Sequence, residues 1–377
     1  MKQGPCILLT AICVVVATPP TRAQTQIPAQ AATPRTSAAP WKFAVSGDSR
    51  NCGDVVMPAV AAAVTKSGAV FFWHLGDFRK VSDFDEDIQH QPEQLAKPLT
   101  IPAYRAMAWK DFIVSQLASF GSLPVYLARG NHEVIPPHTD ADYIATFAPW
   151  IDRPNLRLQR LDDDPADLNP HIYYHWREAG VDFISLDNGP FDFGPDQIAW
   201  FERTLAKDRA DPAIVTIVVG MHEALPESIS KDHSMNQTEL GVESGRRVYA
   251  DLWNLQNQAH KRVYVLASHS HYFMDGIFNT PYWHEHGGVL PGWIVGTGGA
   301  QRYNLPPEAS AAKAAKTRVY GFLLATVKPS GEIRFDFQQL NEHDVPAAVN
   351  ARYTAQFVHW CFAQNSQPLR ENSRTQN

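Results

Sequence analysis

Arg129-Gly130-Asn131-His132-Glu133 is the stretch of this sequence that decides the fold. It follows a short apolar run, 124–128, whose composition is typical of a buried strand. A strand that ends in Gly-Asn-His places a turn and two polar side chains at the carboxyl edge of a sheet, where open α/β folds bind their ligands. Alone, the motif is a weak signal, because an ordinary glycine turn followed by two surface residues has the same pattern.

Four other predicted strands end in polar residues of the same kind. These strands span 41–46, 69–73, 213–219 and 262–267, and they are followed by Gly47-Asp48, Gly76-Asp77, Met221-His222 and His269-Ser270-His271. The carboxyl ends of parallel strands meet at one edge of a sheet, so these side chains and Asn131 are predicted to lie close together. Five motifs of matching chemistry make the combined signal strong.

Length and composition limit the classes of protein to which the chain can belong. Its 377 residues allow one large or two small domains, and a hydrophobic content of 44% is enough for a sizeable core. The formal net charge is -6. Because a nucleic-acid-binding protein normally carries a basic face, we expect no nucleic-acid partner.

The N-terminal segment has the pattern of an export signal. A lysine precedes an apolar run, 6–18, that is too short to span a membrane comfortably. Thr21-Arg22-Ala23 then fits a cleavage site, and the tract 24–40 is rich in Ala, Pro, Thr and Gln. We therefore expect a signal peptide at 1–23, a disordered linker at 24–40, and a secreted or periplasmic mature protein without a membrane anchor.

Two of the four cysteines, Cys6 and Cys13, would leave with the signal peptide. Cys52 and Cys361 remain, and an oxidising compartment would allow them to pair. The sequence contains no information on the distance between them, so a disulfide and two separate thiols both stay open.

Strands alternate with helices along most of the chain, which indicates an α/β fold. A late hairpin, 319–327 with 332–339, suggests a second layer of sheet. The polar segment 80–100 is predicted to be a long loop that forms a lid or substrate wall.

The main domain is placed at 41–345, followed by a C-terminal helix and tail at 346–377. Helices are predicted at 54–67, 103–120, 140–150, 196–206, 243–259 and 353–362, and a surface loop with an acidic run at 155–170.

The side chains at the strand ends have the chemistry of a metal site. Carboxylate and amide oxygens together with imidazole nitrogens suit divalent metal ions. Two such ions about 3.5–4 Å apart clamp the attacking and the leaving oxygen of an in-line displacement, and they lower the pKa of a bound water to about 7. This chemistry suits the hydrolysis of phosphate esters.

The motifs resemble those of the calcineurin-like metallophosphoesterases, including the purple acid phosphatase branch. The resemblance covers about 41–339 and implies a four-layer α/β/β/α sandwich of two mixed sheets. It also implies hydrolysis of a small-molecule phosphate ester by water that a dinuclear centre activates, with two divalent ions of Mn, Fe or Zn. The family pattern of Asp, Gly-Asp, Gly-Asn-His-Asp/Glu, His and Gly-His-x-His is matched by Gly47-Asp48, Gly76-Asp77, Gly130-Asn131-His132-Glu133, His222 and His269-Ser270-His271.

The resemblance further implies a role for each residue of the site. Asp77 would bridge the two ions, and His132 would face the substrate without binding metal. The choice between a monoester and a diester substrate stays open, as does the oligomeric state. The remaining ligands would be Asp48 and His271 for the first ion, and Asn131, His222 and His269 for the second.

The first motif departs from the family pattern. Most relatives carry Asp-x-His there, whereas this chain has Asp48-Ser49-Arg50, and arginine stays protonated and cannot bind a cation. Lys80 stands where purple acid phosphatases have a tyrosine. Two hypotheses for Arg50 stay open: a bidentate, catalytic grip on a phosphate oxygen, or the absence of any catalytic role, as a surface arginine or in a structural ion pair. The departure also motivates an alternative function, a non-catalytic protein that binds a ligand or partner at a degenerate first metal site.

Overall fold

The computed structural model describes Met1 and residues 39–363. The predicted signal peptide (1–23) apart from Met1, most of the predicted linker (24–40) and the end of the predicted tail lie outside the described residues. Within 39–363, no helix is both long and apolar enough to cross a membrane. The same residues form two β-sheets, with helices packed around them.

Strands and helices alternate along much of the chain. The strands are β1 (Trp41–Ser46), β2 (Phe72–His74), β3 (Val125–Leu127), β4 (Tyr174–Glu178), β5 (Val181–Ser185), β6 (Thr216–Gly220), β7 (Arg262–Ala267), β8 (Phe273–Asp275), β9 (Gly292–Val295), β10 (Ala314–Lys316), β11 (Tyr320–Val327) and β12 (Ile333–Leu340). The α-helices are α1 (Gly53–Ser67), α2 (Glu86–Gln89), α3 (Pro92–Ala96), α4 (Ile101–Ser115), α5 (Asp140–Ile151), α6 (Pro154–Asp163), α7 (Pro195–Ala210), α8 (Glu239–Gln258), α9 (Pro281–Glu285), α10 (Ala347–Arg352) and α11 (Ala355–Ala363).

Both sheets are mixed. The five-stranded sheet has the order β12-β11-β1-β2-β3, in which β1, β2 and β3 are parallel and the β11–β12 hairpin is joined to β1 through an antiparallel pairing with β11. The seven-stranded sheet has the order β10-β8-β9-β7-β6-β5-β4, with β5, β6, β7 and β9 parallel. Within each sheet, the carboxyl ends of the parallel strands therefore share an edge.

The two sheets pack face to face through aromatic side chains. Phe43 of β1 lies edge-on to Phe183 of β5, with ring centroids 5.0 Å apart. Tyr126 of β3 stacks on Trp176 of β4 with centroids 3.9 Å apart. Such pairs contribute about 0.5–1.5 kcal/mol each beyond the apolar area that they bury. Because these contacts join the two sheets directly, they form the inner core.

Helices cover the outer faces. Along β6, Val218 packs in the core between the sheets, whereas Ile217 and Val219 pack with side chains of α7 and α8. Successive strand residues point to opposite faces, so an uninterrupted apolar run marks a strand that is buried on both sides. On the other sheet, α1 lies against β11 and α5 against β3. The prediction of a four-layer α/β/β/α sandwich of two mixed sheets is confirmed.

Most predicted elements are present, with ends that differ by a few residues. Helix α8 begins at Glu239 instead of 243, because the Thr238 hydroxyl accepts a hydrogen bond from the Gly241 amide at 2.9 Å and caps the helix. Three short elements, β8, α9 and β10, have no counterpart among the predictions. Runs of three to five residues are too short to show a periodic pattern.

The loop predicted at 155–170 is wrong in its first half, where α6 forms. Pro154 occupies the first turn of this helix, a position that favours proline, and Leu156 is buried. Asp163, from the acidic run, accepts a hydrogen bond from Lys207 Nζ at 2.8 Å and also pairs with His175. The acidic run is thus partly neutralised by neighbouring cations.

The segment 80–100, predicted as a long loop, contains α2 and α3 and is anchored by a buried polar network. The fully buried guanidinium of Arg79 pairs with Asp54 of α1 at 2.5 Å, with Asp87 of α2 at 3.0 Å and with Asp111 of α4. Burial opposes the charge on Arg79, but the three carboxylates raise the pKa of its guanidinium well above the usual value. The segment is therefore fixed to α1 and α4.

The C-terminal helices are fastened to α1. Cys361 of α11 forms a disulfide with Cys52, the residue before α1, across a sequence separation of 309. The hydroxyl of Tyr353 donates to Asp54 Oδ2 at 2.7 Å. Tyr353 lies between α10 and α11, not in the helix predicted to begin there. Of the two alternatives for the remaining cysteines, the structure has the disulfide, which restricts the unfolded chain by closing a long loop.

We expect Arg79→Met to destabilise the protein strongly, because it leaves three buried carboxylates without their cation. Removing one partner of a buried ion pair costs about 3–5 kcal/mol. The free energy of unfolding is measured by chemical denaturation. Arg334→Met is the matched control, since Arg334 is exposed and pairs with Asp336 at the surface, where a pair contributes about 0–1 kcal/mol. Equal losses in the two variants would contradict the structural role of Arg79.

Candidate metal centre

The six predicted metal ligands all lie together, where the strand ends of the two sheets meet. Their potential ligand atoms form two clusters that have Asp77 in common. Below, the first cluster is Asp48, Asp77 and His271, and the second cluster is Asp77, Asn131, His222 and His269. Asp48, Asp77 and Asn131 follow β1, β2 and β3, whereas His222 follows β6 and His269 and His271 follow β7.

In the second cluster, electron-pair donors face one another. His222 Nε2 lies 3.2 Å from Asp77 Oδ1, 3.0 Å from Asn131 Oδ1 and 3.0 Å from His269 Nδ1. His222 Nδ1 lies 2.8 Å from the carbonyl oxygen of Leu75. Since a carbonyl oxygen can only accept, Nδ1 carries a proton and donates it, and whenever Nε2 carries no proton its electron pair is directed at the other donors.

The arrangement of the second cluster favours a positive charge between its donor atoms. Burial works to lower the pKa of His222, but Asp77 and Asp48 raise it above the ordinary value, so the carboxylates favour a cation at this place. A metal ion competes with a proton for the same electron pairs. Two imidazole nitrogens, a carboxylate oxygen and an amide oxygen are a donor set that suits divalent ions such as zinc, iron or manganese. The residues of the second cluster therefore fit an ion.

The first cluster contains the guanidinium of Arg50. Arg50 Nε lies 3.4 Å from Asp77 Oδ2, and Arg50 Nη2 lies 3.0 Å from His271 Nε2. Arg50 Nη1 lies 2.7 Å from His132 Nε2. Asp48 Oδ1 is 3.2 Å from the same His271 nitrogen. An arginine head group thus lies among the residues that the sequence assigns to the first ion.

His132 lies beside the two clusters and is 9% exposed. Its Nδ1 donates to the carbonyl oxygen of Lys80, and its Nε2 lies 3.8 Å from Asp77 Oδ2. Burial and the charge of Arg50 lower the pKa of His132 to about 4. The ammonium of Lys80 pairs with Asp83 at 3.2 Å.

Three of the candidate ligands have a backbone conformation that residues other than glycine rarely adopt. The angle φ is +58° at Asp48, +59° at Asp77 and +62° at His269. Such left-handed conformations cost on the order of 1–3 kcal/mol each, and they cluster at functional sites. Three such conformations at one place support a functional role for it, because strained backbone clusters at functional sites.

Glu133, the last residue of the deciding motif, holds Asp77 in place. Its Oε2 accepts hydrogen bonds from the amides of Asp77 and Gly130, and its Oε1 accepts one from the amide of Phe78, all at 2.9 Å. A Cβ at Gly130 would lie 2.4 Å from Asp77 Oδ1, so only glycine lets the two loops approach this closely. The motif marks Glu133 as acidic without showing what it contacts, so its role is absent from the sequence-based prediction.

Glu223 is another carboxylate beside the centre. It is fully buried, and neither of its oxygens has a hydrogen-bond partner within the described part of the chain. Its Oε1 lies 3.7 Å from His269 Nε2, and burial raises the pKa of Glu223 to about 8. Its position directly after His222 is the only signal in the sequence, and that signal does not reveal the burial.

Tyr303 borders the first cluster. Its ring stacks on the ring of His271 with centroids 3.9 Å apart, and its hydroxyl lies 3.5 Å from Arg50 Nη2. It lies in an irregular segment between β9 and β10, and no motif in the sequence points to it. The contact depends entirely on the tertiary fold.

We expect Glu133→Ala to destabilise the loop that carries Asp77. It leaves three backbone N–H groups without their acceptor, and each buried unsatisfied group costs about 1–3 kcal/mol. Chemical denaturation measures the loss. The matched control is Glu133→Gln, which keeps one side-chain oxygen as an acceptor and should lose less. A Glu133→Ala protein as stable as the unchanged one would contradict this role.

No protein-family model matches this chain, and a search of curated proteins finds none that matches it. Solved structures are similar in fold. A purple acid phosphatase, PPD1 from seeds of yellow lupin (Lupinus luteus), has a TM-score of 0.53 at 15% identity, over 81% of this chain and 52% of that chain. A structure of PhoD has a TM-score of 0.50 at 13% identity, over 81% of this chain and 70% of that chain.

The chain spans about half the length of the purple acid phosphatase it matches. At identities of 13% and 15%, the similarity shows the fold and not the activity. Both structures belong to the superfamily that the sequence motifs resemble. This chain has the fold of the calcineurin-like metallophosphoesterases.

Proposed function

We propose that this protein is a metal-dependent phosphoesterase, which hydrolyses small phosphate esters with water as the nucleophile. The supporting observation is the second cluster, where the electron pairs of two imidazoles, a carboxylate and an amide face one another. Asp77, Asn131, His222 and His269 would hold a divalent ion there, which would supply Lewis acidity towards a phosphoryl oxygen and towards water.

The side chains around this cluster have complementary roles in the proposal. Asp77 directs Oδ1 at His222 and Oδ2 at Arg50, so one carboxylate fixes both sides of the centre. Arg50 and His132, which contact each other at 2.7 Å, would face the phosphate. The guanidinium offers N–H donors to phosphate oxygens, and His132, whose Nε2 accepts from Arg50 Nη1, would orient that guanidinium.

The bond changes balance without a further reactant. The water oxygen forms a bond to phosphorus as the bond from phosphorus to the ester oxygen breaks. The alcohol leaves with that electron pair and gains a proton, and the water loses one. A small phosphate ester and water are therefore the only substrates required.

The number of ions depends on Arg50. The resemblance implies two divalent ions of Mn, Fe or Zn, and the second cluster fits one of them as it stands. The first cluster does not, because a second ion would have to displace the guanidinium that lies 3.0 Å from His271 Nε2. The proposed hydrolysis requires only the ion of the second cluster.

We also propose that the protein is exported, to the periplasm or out of the cell. The signal-peptide pattern at 1–23 supports this location. The disulfide between Cys52 and Cys361 supports it too, since such bonds persist in oxidising compartments.

Metal removal and reconstitution test the enzymatic function. Protein treated with a chelator is expected to show no turnover of a chromogenic phosphate ester, and at least one of Mn, Fe and Zn should restore it. Monoester and diester substrates assayed in parallel show which ester the site accepts. Metal binding without turnover of either ester would contradict the proposal and favour the non-catalytic, ligand-binding alternative that Arg50 motivates.

We expect Asp77→Asn to lower turnover more than a change at any other single ligand. Its carboxylate faces both clusters, and the amide removes the buried negative charge that attracts cations. Changes to residues that only contact metal ligands typically cost about 10–100-fold, so the loss here should exceed about 100-fold. Metal content and steady-state kinetics are measured together. Asp163→Asn, outside both clusters, is the control, and normal metal content and rate in Asp77→Asn would refute the shared role.

We expect His132→Ala to lower turnover while the metal content stays unchanged. Without His132, the guanidinium of Arg50 loses an acceptor that fixes its orientation, and supporting contacts of this kind typically contribute about 10–100-fold to activity. His171→Ala is the control, because His171 pairs with Asp167 at the surface. Loss of metal from His132→Ala would instead make His132 a ligand.

A further inference from the structure

Arg50 donates hydrogen bonds to two imidazole nitrogens, and one of them, His271 Nε2, carries an electron pair that an ion of the first cluster would otherwise bind. His271 Nδ1 lies 2.5 Å from the carbonyl oxygen of Gln301, so it carries the proton and leaves Nε2 as an acceptor. Arg50 Nη2 donates to that nitrogen at 3.0 Å. His132 has the same tautomer, since its Nδ1 donates to a carbonyl oxygen, and its Nε2 accepts from Arg50 Nη1 at 2.7 Å.

The guanidinium and a metal ion cannot both occupy the first cluster, because the distances between the groups are too short. A zinc ion binds an imidazole nitrogen at about 2.0–2.1 Å. An ion on His271 Nε2 would have to use the electron pair to which Arg50 Nη2 already donates from 3.0 Å. Arg50 Nε also faces Asp77 Oδ2 at 3.4 Å, the oxygen that would bridge to such an ion. The two cations cannot share these donors.

Charge leads to the same conclusion. Asp48 and Asp77 supply two buried negative charges between the clusters. One divalent ion and the guanidinium together give three positive charges, which leaves a small excess for an anionic phosphate. Two divalent ions without the guanidinium would give four, and mutual repulsion between buried like charges is strong at short range.

The second cluster is different. His222 Nε2 has contacts at 3.0–3.2 Å to Asp77, Asn131 and His269, and all three contacting atoms are oxygens or imidazole nitrogens. No lysine or arginine contacts His222 Nε2 within the described residues. The fold thus provides a cation for one cluster and leaves the other for a metal.

We propose that Arg50 is a built-in cation that replaces one metal ion of the expected pair, so that the centre binds a single divalent ion, at the second cluster. This inference rests on the proposed function. The guanidinium and this ion would hold the phosphate between them, as two ions do in a dinuclear centre. The side chain of Arg50 is 11% exposed, which leaves it reachable by a small substrate. A fixed charge of this kind does not exchange with the solution, so metal loading should follow a single-site curve.

Binding of Mn²⁺ alone tests the proposal. Metal-free protein titrated with Mn²⁺ and analysed by elemental analysis is expected to bind one ion per chain. Electron paramagnetic resonance should show an isolated ion, without the exchange coupling of two ions about 3.5–4 Å apart. Two ions per chain with a coupled spectrum in the unchanged protein would overturn the proposal, and this measurement requires no variant.

Substitution of Arg50 tests whether its guanidinium is the reason that the centre binds one ion instead of two. Arg50→His removes the guanidinium and supplies an imidazole ligand, so it should raise the count from one ion to two and produce the coupled spectrum. Arg50→Lys keeps the charge and should stay at one. Arg247→His is the matched control, because Arg247 is an exposed residue that pairs with Glu202 on the surface. A folded Arg50→His protein that still binds one ion would show that Arg50 does not exclude the second ion.

Turnover is recorded separately, so the two proposals can fail independently. One ion per chain without hydrolysis of any phosphate ester would refute the proposed function and leave the role of Arg50 intact. Two coupled ions with hydrolysis would refute the role of Arg50 and leave the function intact.

Discussion

The carboxylate of Asp77 is the group on which the candidate centre depends. It is fully buried, with one oxygen directed at the second cluster and the other at Arg50. Burial opposes its charge, but His222, His132 and Arg50 lower the pKa of Asp77 below its usual value, so the group stays ionised. A buried charge without a partner carries a large desolvation penalty. Each neighbour of Asp77 therefore either supplies positive charge or fixes the carboxylate in position.

The two sheets make this possible because their strand ends meet. His222 Nδ1 donates to the carbonyl oxygen of Leu75, a hydrogen bond that joins the seven-stranded sheet to the five-stranded sheet at the centre itself. A Cβ at Gly220 would lie 2.3 Å from the ring of Trp73, so the sheets touch directly behind His222. Packing of the inner core and geometry of the site are thus linked. The strained backbone at Asp48, Asp77 and His269 persists because this surrounding structure determines it.

The features that could be predicted from sequence are those that a pattern of neighbouring residues reveals. Asp48 and His222 directly follow apolar runs, and parallel strands bring such residues together whatever the details of packing. Contacts between segments that are distant in sequence leave no such pattern. The stacking of the Tyr303 ring on the His271 ring is one of these contacts. Helix α6 was not predicted for another reason. Its sequence is polar, and its helical state depends on a proline at its start and on one buried leucine.

Arg50 shows the same limit at the centre. The sequence shows that an arginine stands where relatives have a metal ligand, but a grip on phosphate and a structural ion pair are equally compatible with that fact. Only the fold reveals that its guanidinium reaches His271, Asp77 and His132 together. The substitution then has a physical meaning, because one permanent cation takes over part of the charge balance that a second metal would provide.

Anomalous diffraction from crystals of the zinc-loaded protein tests this arrangement most directly. The expected result is one peak per chain, about 2.0–2.2 Å from the nitrogens of His222 and His269 and from Asp77 Oδ1, with Arg50 still in contact with His271. A second peak between Asp48 and His271, with the guanidinium displaced, would contradict the single-ion centre. A map without any peak at the second cluster would contradict the metal-dependent function itself.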